Sequence, residues 1–233
     1  MNFIGTLLES MERGSAGSEE TARRVLSLCG KLSPEKALFV GDDCFTPKLI
    51  QEQTGAEVDA AFSDARHAEK AAALGLNSRV VQLFELPVTE GGYGLVWYNG
   101  TVEFDGVAER LEQLKRCVGK GQTAVYRTLC WLIDPSPDTA AYCRRRFGII
   151  EPLDRVILDA KSAGFRLCDF YIAPKTDWTE NYYKPLNRAA AEYQGLYSED
   201  GEIAAGMSEL KKETDMFELH CEEYSYVYYI MKG

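Results

Sequence analysis

The sequence predicts an α/β protein in which a mostly parallel sheet is covered by helices on both faces. Three observations carry that expectation. Short apolar runs alternate with helical patterns between residues 37 and 129, which is the rhythm of strands joined by crossover helices. Cap and turn residues separate the runs at nearly every boundary. The chain has 233 residues, 45% of them apolar, enough to bury a core without disulfide or metal staples.

The elements follow in order. Residues 1–8 are apolar and lack a basic leader, so they read as a docking helix rather than a signal peptide. Ser18 is placed to cap a helix with Glu19 and Glu20 in its first turn, and Ala22, Val25, Leu26 and Cys29 repeat at helical spacing up to Gly30. Residues 37–41 form the first strand. Thr46-Pro47 reads as an N-cap followed by proline at the first helical position, and the helix stops at Thr54-Gly55. A second strand covers 58–62, with Ser63 capping an alanine-rich helix that ends at Gly75. Third and fourth strands cover 79–83 and 93–97, joined by a link of about nine residues, too short for a crossover helix. A helix over 106–117, a turn at 119–121 and a strand over 122–129 follow. The second half reads as helices over 139–146 and 153–163, a strand over 166–173, helices over 186–197 and 202–219, and an aromatic strand over 224–231. The whole of 1–233 reads as one domain, with a helical lid inserted at about 174–222.

Charge and cysteine content narrow the function classes. Thirty-six acidic residues against 26 basic give a net charge of −10, which argues against nucleic acid and anionic membranes as partners. Seven cysteines include no C-x-x-C pair, and His67 and His220 are the only imidazoles, so no zinc spacing is present and no metal is expected. Free thiols at this length point to a reducing compartment and a cytoplasmic location. The sequence leaves the oligomeric state open.

A strand, a turn, a helix and a second strand form the nucleotide-binding half of a doubly wound fold. Three segments make the likeness closer. They are Gly17-Ser18-Glu19-Glu20, Leu95-Val96-Trp97 followed by Asn99-Gly100, and Trp178-Thr179-Glu180-Asn181-Tyr182-Tyr183, with the tail Tyr224-Ser225-Tyr226-Val227-Tyr228-Tyr229-Ile230 also fitting. With the order of elements, they resemble the class I S-adenosylmethionine-dependent methyltransferases, in particular a bacterial group acting on small molecules. The resemblance implies a three-layer Rossmann-like sandwich of seven strands with the last antiparallel, S-adenosylmethionine as cofactor and a small-molecule methyl acceptor. It places the cofactor near Gly17, Ser18, Gly41, Asp42, Asp43, Phe62, Asp64, Glu85, Tyr98 and Asn99, and the substrate near Trp178, Tyr182 and Tyr183.

The chain departs from the family pattern where the cofactor binds. The family's first strand ends Asp/Glu-x-Gly-x-Gly-x-Gly, whereas this chain has Phe39-Val40-Gly41-Asp42-Asp43-Cys44-Phe45. The acid that would pair with the ribose hydroxyls aligns with Phe62, and the acid opening the fourth strand aligns with Gly94. Asp64, two residues on, replaces the former only if the strand end is shifted. A hydrogen bond to a carboxylate is worth about 1.5–3 kcal/mol, so losing the ribose acid weakens binding about tenfold to a hundredfold.

Asp42 and Asp43 stand just before a helix N-terminus, and one of them is expected to fill the amide-lined spot a cofactor would use. An ordinary strand-to-helix turn is the plainer reading. Phe39, Phe45 and Phe62 are core residues or, if they converge, a plug. His67, His220 and Arg144-Arg145-Arg146 read as solvated surface, the arginines alternatively as contacts to an anionic substrate. No catalytic residue follows from spacing. Two functions remain: methyl transfer to a small molecule with an atypical cofactor site, or a catalytically silent binding or assembly module. A remodelled cleft for another adenosine-type or apolar ligand is a third.

Overall fold

The structure is a computed structural model that describes residues 3–8, 11, 13–81, 92–100, 106–196 and 201–233. Its elements run α1 (Phe3–Leu8), α2 (Glu19–Leu28), β1 (Lys36–Gly41), α3 (Phe45–Thr54), β2 (Glu57–Phe62), α4 (Ala65–Ala73), β3 (Asn77–Val80) and β4 (Tyr93–Asn99). They continue with α5 (Val107–Cys117), β5 (Val118–Trp131), α6 (Pro137–Phe147), β6 (Glu151–Pro152), α7 (Leu153–Ser162) and β7 (Arg166–Ile172). After β7 come α8 (Lys175–Trp178), a π-helical turn (Thr179–Tyr183), α9 (Lys184–Leu196), α10 (Gly201–His220) and β8 (Tyr224–Lys232).

The strands form one sheet in the order β3-β2-β1-β4-β5-β8-β7, with the two-residue β6 paired beside β5. The pairs from β3 to β5 are parallel, and β8 runs antiparallel to both β5 and β7. This is the expected three-layer sandwich of seven main strands with an antiparallel last strand.

Side chains alternate between two cores because successive residues of a strand point to opposite faces. Phe39, Phe62, Trp97, Val125 and Tyr228 face one layer, which α2, α3 and the β7–β8 insertion cover. Leu38, Val96, Tyr98, Tyr126 and Tyr229 face the other, under Leu111 and Leu114 of α5 and Val156 of α7. β8 is buried along nearly its whole length, so its continuous aromatic run is that of a central strand covered on both sides.

Several local expectations are corrected. Thr46 does not cap α3; Asp43 does, its Oδ1 accepting from the Thr46 amide at 2.6 Å. Thr46 already lies inside the helix, which begins at Phe45, and its hydroxyl donates to Asp43 Oδ2 at 3.0 Å. Asp64 rather than Ser63 caps α4, accepting from the Arg66 amide at 2.9 Å. The turn expected at 119–121 is an irregularity within β5, where the partner of β4 jumps from Val118 to Thr123. His67 is buried and stacked on Phe62, with ring centroids 6.1 Å apart. The ends of α3 and the start of α5 follow the glycine signals, Gly55 at φ 72° and Gly106 at φ 90°. α1 packs as a docking helix against the insertion, Phe3 meeting Tyr193 edge-on at 5.9 Å. Among the described residues no helix is long and apolar enough to cross a membrane.

Candidate functional site

In an open parallel sheet, ligand groups gather beyond the carboxyl ends of the strands. Here β1 ends at Gly41, β2 at Phe62 and β4 at Asn99. Gly41 is required by packing: a Cβ there would lie 2.6 Å from Phe39 Cζ and 2.9 Å from Asn99 Cβ. Both its neighbours are this chain's own side chains. At Gly94 a Cβ would lie 2.7 Å from Pro34 Cβ, so an acid cannot stand there without moving that proline.

Beyond the strand ends lies a buried polar network. Asp43 is 1% exposed and fully engaged: besides Thr46, it accepts from Asn99 Nδ2 at 3.1 Å and has Arg13 Nη1 at 3.8 Å. Asn99 is oriented in turn by Trp97, whose indole N–H donates to its Oδ1 at 2.7 Å. Arg127 extends from β5 into the same region. It donates to the carbonyls of Gly100 (3.2 Å) and Ala16 (3.0 Å) and to Ser15 Oγ (2.7 Å). Its guanidinium lies over the Tyr226 ring at 4.2 Å and 3.9 Å from Asp42 Oδ1. Burial works against its charge, but Tyr228, Asp42 and Tyr226 outweigh that and hold its pKa above the ordinary value. These bonds, with the Gly14 amide donating to the Asp42 carbonyl at 3.2 Å, fasten residues 13–17 across the ends of β1, β4 and β5.

The β7–β8 insertion supplies a further acid. Asp177 is 1% exposed, and the Ser18 and Thr21 side chains and the charges of Arg13 and Arg127 favour its ionised form. Desolvation raises its pKa despite those partners. Asp42 Oδ2 and Asp177 Oδ2 are both buried without a hydrogen-bond partner among the described residues.

The remaining candidates separate. Phe39 and Phe62 converge, with centroids 5.9 Å apart, and both are fully buried. Phe45 does not join them; it is half-buried between Arg13 and Arg23, 5.6 and 5.9 Å from its centroid. Asp64 stands past the end of β2 and is held by Arg66, whose hydrogen bonds lower its pKa. Tyr98 and Asn99 lie on opposite faces, because Tyr98 stacks on Tyr126 at 5.7 Å in the α5 layer. Glu85 lies outside the described residues. Trp178, Tyr182 and Tyr183 are brought together, but as a packed cluster: Trp178 stacks on Phe217 at 4.6 Å and on Tyr226 at 4.9 Å. An open groove of about 1470 Å³ runs beside the α2 start and α3, bounded across by residues 180–192; of the cofactor-side candidates only Gly17 and Ser18 line it.

Arg127, Arg13 and Asp177 are the residues that sequence reasoning missed. Arg127 had a signal, being the one charge inside the apolar stretch 124–131, where an unpaired cation would be costly. Nothing in the local pattern marked Arg13.

Comparisons with known proteins agree with this architecture. No protein-family model matches the sequence, and no curated protein matches it. Among solved structures, a SAM-dependent methyltransferase from Geobacter sulfurreducens in complex with S-adenosyl-L-homocysteine superposes with a TM-score of 0.77 at 13% identity, covering 99% of this chain and 98% of that one. One from Thiobacillus denitrificans, also with S-adenosyl-L-homocysteine, gives 0.76 at 12% identity and 99% of both chains. The Haemonchus contortus phosphoethanolamine N-methyltransferase 2 gives 0.68 at 11% identity, covering 99% of this chain and 56% of that one. From the first helix to the last strand, the chain has the fold of the class I S-adenosylmethionine-dependent methyltransferases.

Proposed function

We propose that this protein binds S-adenosylmethionine or its demethylated product at the carboxyl ends of β1, β2 and β4, and transfers the methyl group to a small molecule. The observation that carries the reading is the end-to-end agreement of fold, at TM-scores of 0.76–0.77, with two enzymes that hold S-adenosyl-L-homocysteine.

The described residues do not fit the ordinary manner of holding that cofactor. Phe62, which the resemblance aligns with the ribose-binding acid, is fully buried, and the space above Gly41 belongs to Phe39 and Asn99. Asp64 is the acid nearest the end of β2, and its carboxylate keeps acceptor capacity beyond its bonds to Arg66. No chemical step is therefore routed through the cofactor. What the chain's own residues supply is a dry, preorganised surface in which Arg127, Asn99 and Asp43 are fixed by their neighbours.

A second reading, a catalytically silent binding module, is favoured by one observation: Asp43 already serves the first turn of α3, where a ligand anion would otherwise be drawn. Calorimetric titration of the full chain with S-adenosylmethionine and S-adenosylhomocysteine decides between them. Saturable binding in the micromolar range, about −8 kcal/mol, supports the methyltransferase reading. No heat and no thermal shift at millimolar ligand leaves the binding module.

A further inference from the structure

The groove beside α2 and α3 carries the opposite charge to the chain as a whole. Among the described residues, six basic side chains line it against four acidic ones, in a protein of net charge −10. Its volume of about 1470 Å³ exceeds the roughly 300–1,000 Å³ of ordinary small-molecule pockets. Helix faces form both walls. Phe45, Lys48 and Glu52 recur at helical spacing on α3, and Lys184, Arg188 and Glu192 do so on α9. The α9 wall begins in the π-helical turn, which buries Tyr182 and Tyr183 and leaves Glu180 and Asn181 on the groove. Such turns are frequent at functional sites.

Three of the six bases are already committed: Arg13 to Asp43, Arg23 to Glu19 and Lys184 to Glu180. The other three come from three helices. Lys48 of α3 has only uncharged partners, donating to Gln51 Oε1 at 2.9 Å and to the Leu74 carbonyl at 3.5 Å. The side chains of Lys70 in α4 and Arg188 in α9 are exposed and make no hydrogen bond or ion pair among the described residues. Between these cations the surface is apolar. Leu74 is 47% exposed, and the half-buried Phe45 ring lies 5.6 Å from the Arg13 guanidinium and 5.9 Å from that of Arg23.

We propose that this groove binds an acidic segment of another polypeptide, one in which carboxylates alternate with apolar side chains. Uncommitted cations on both walls meet the carboxylates, and Phe45 and Leu74 meet the apolar groups. A nucleic acid fits less well, because its evenly charged backbone needs a continuous basic track. Here Glu52 and Glu192 each stand one turn past a lining base, which keeps the positive stretch short. The site lies on the helices beside the strand ends and does not depend on the methyl-transfer reading.

The test is fluorescence anisotropy on the full chain with a labelled random copolymer of glutamate and tyrosine, in which acid and ring occur in every local order. Oligothymidylate is titrated in parallel. The expected result is saturable binding of the copolymer that weakens as salt rises, and weaker binding of the oligonucleotide. The double variant Lys70→Glu with Arg188→Glu should bind the copolymer at least about fivefold more weakly, since two exposed attractions become repulsions. Lys70→Gln with Arg188→Gln should show a smaller loss. Arg116→Glu with Lys161→Glu, exposed on α5 and α7 across the sheet, makes the same change in net charge and should bind as the parent does. Thermal midpoints show that each variant is folded.

No saturable binding of the copolymer up to about 1 mM, the weak limit of specific association, overturns the proposal. An equal loss in the α5 and α7 variant also overturns it, because overall charge rather than the groove would then govern binding. Tighter binding of oligothymidylate than of the copolymer overturns it in favour of a nucleic-acid surface.

Discussion

Asn99 donates its side-chain amide to Asp43 Oδ2 at 3.1 Å, joining the end of β4 to the turn between β1 and α3. The two residues are 56 positions apart, and the bond is buried. Asp43 thereby does three things at once: it caps α3, holds Asn99 and faces Arg13. Asp43→Ala removes the cap and strands two buried donors, and should cost about 2–4 kcal/mol. Urea unfolding followed by circular dichroism measures it. A loss under 1 kcal/mol would mean that water replaces the carboxylate at little expense.

Arg127 is the cation on which the 13–17 segment depends. Replacing it by methionine keeps much of the volume but leaves Asp42 facing Tyr226 without its guanidinium. The expected loss is about 3–5 kcal/mol, that of breaking a buried pair from one side. Proteolysis should then cut near Ser15 in the folded variant faster than in the parent, since Ser15 and Ala16 lose their donors.

Stability should depend on pH through Asp177. Burial raises its pKa above the ordinary 3.8, so the folded state holds this proton more tightly than the unfolded chain does. Its contribution is therefore fully present below pH 3.8 and is lost as pH rises through the raised value. Asp177→Asn does not titrate. The thermal midpoint of the variant relative to the parent should rise as pH increases from about 3 to about 7. A difference that stays constant across that range contradicts the assignment.

Thiol labelling should discriminate among the seven cysteines. Burial pushes Cys29, Cys130 and Cys143 up to about 12, and Cys44 and Cys117 up to about 11. Cys168 is exposed on the edge strand β7. Peptide mapping of the native protein at neutral pH should find Cys168 labelled fastest, ahead of Cys221, which is only partly exposed. Alkylation depends on the thiolate, so the five raised thiols should react only on unfolding.

The insertion is held by aromatic packing around Trp178. Trp178→Ala should cost about 3–5 kcal/mol and raise hydrogen exchange in α9 and α10 more than in β1 or β4. Equal protection in both regions would show that the indole is not what ties the insertion to the sheet.

The strands and helices were legible because periodicity and capping are local: Ser18, Gly55 and Gly106 stand where their elements begin or end. The geometry beyond the strand ends was legible only in part. Asp42 and Asp43 stood out as acids in a glycine position, and the structure places Asp43 on the first turn of α3. The rest depends on contacts between distant segments, which spacing does not encode. Arg127 reaches Ser15 and Ala16 across more than a hundred residues. His67 looked like surface in an alanine-rich helix until Phe62 offered it a ring to stack on. Arg146 looked solvated until Glu213 of α10, itself buried, approached to 2.7 Å.

The Arg127–Ala16 bond has a kinetic consequence. Its partners are 111 residues apart, and Arg127 stands in place only after β5 has paired with β4. Closing a loop of that span is entropically expensive until other contacts have shortened it. The N-terminal segment should therefore lock after the central sheet has assembled, and a chain caught before that point would keep its carboxylates and guanidiniums in water. Deleting the segment should remove the last phase of refolding while leaving the early burial of tryptophan fluorescence intact.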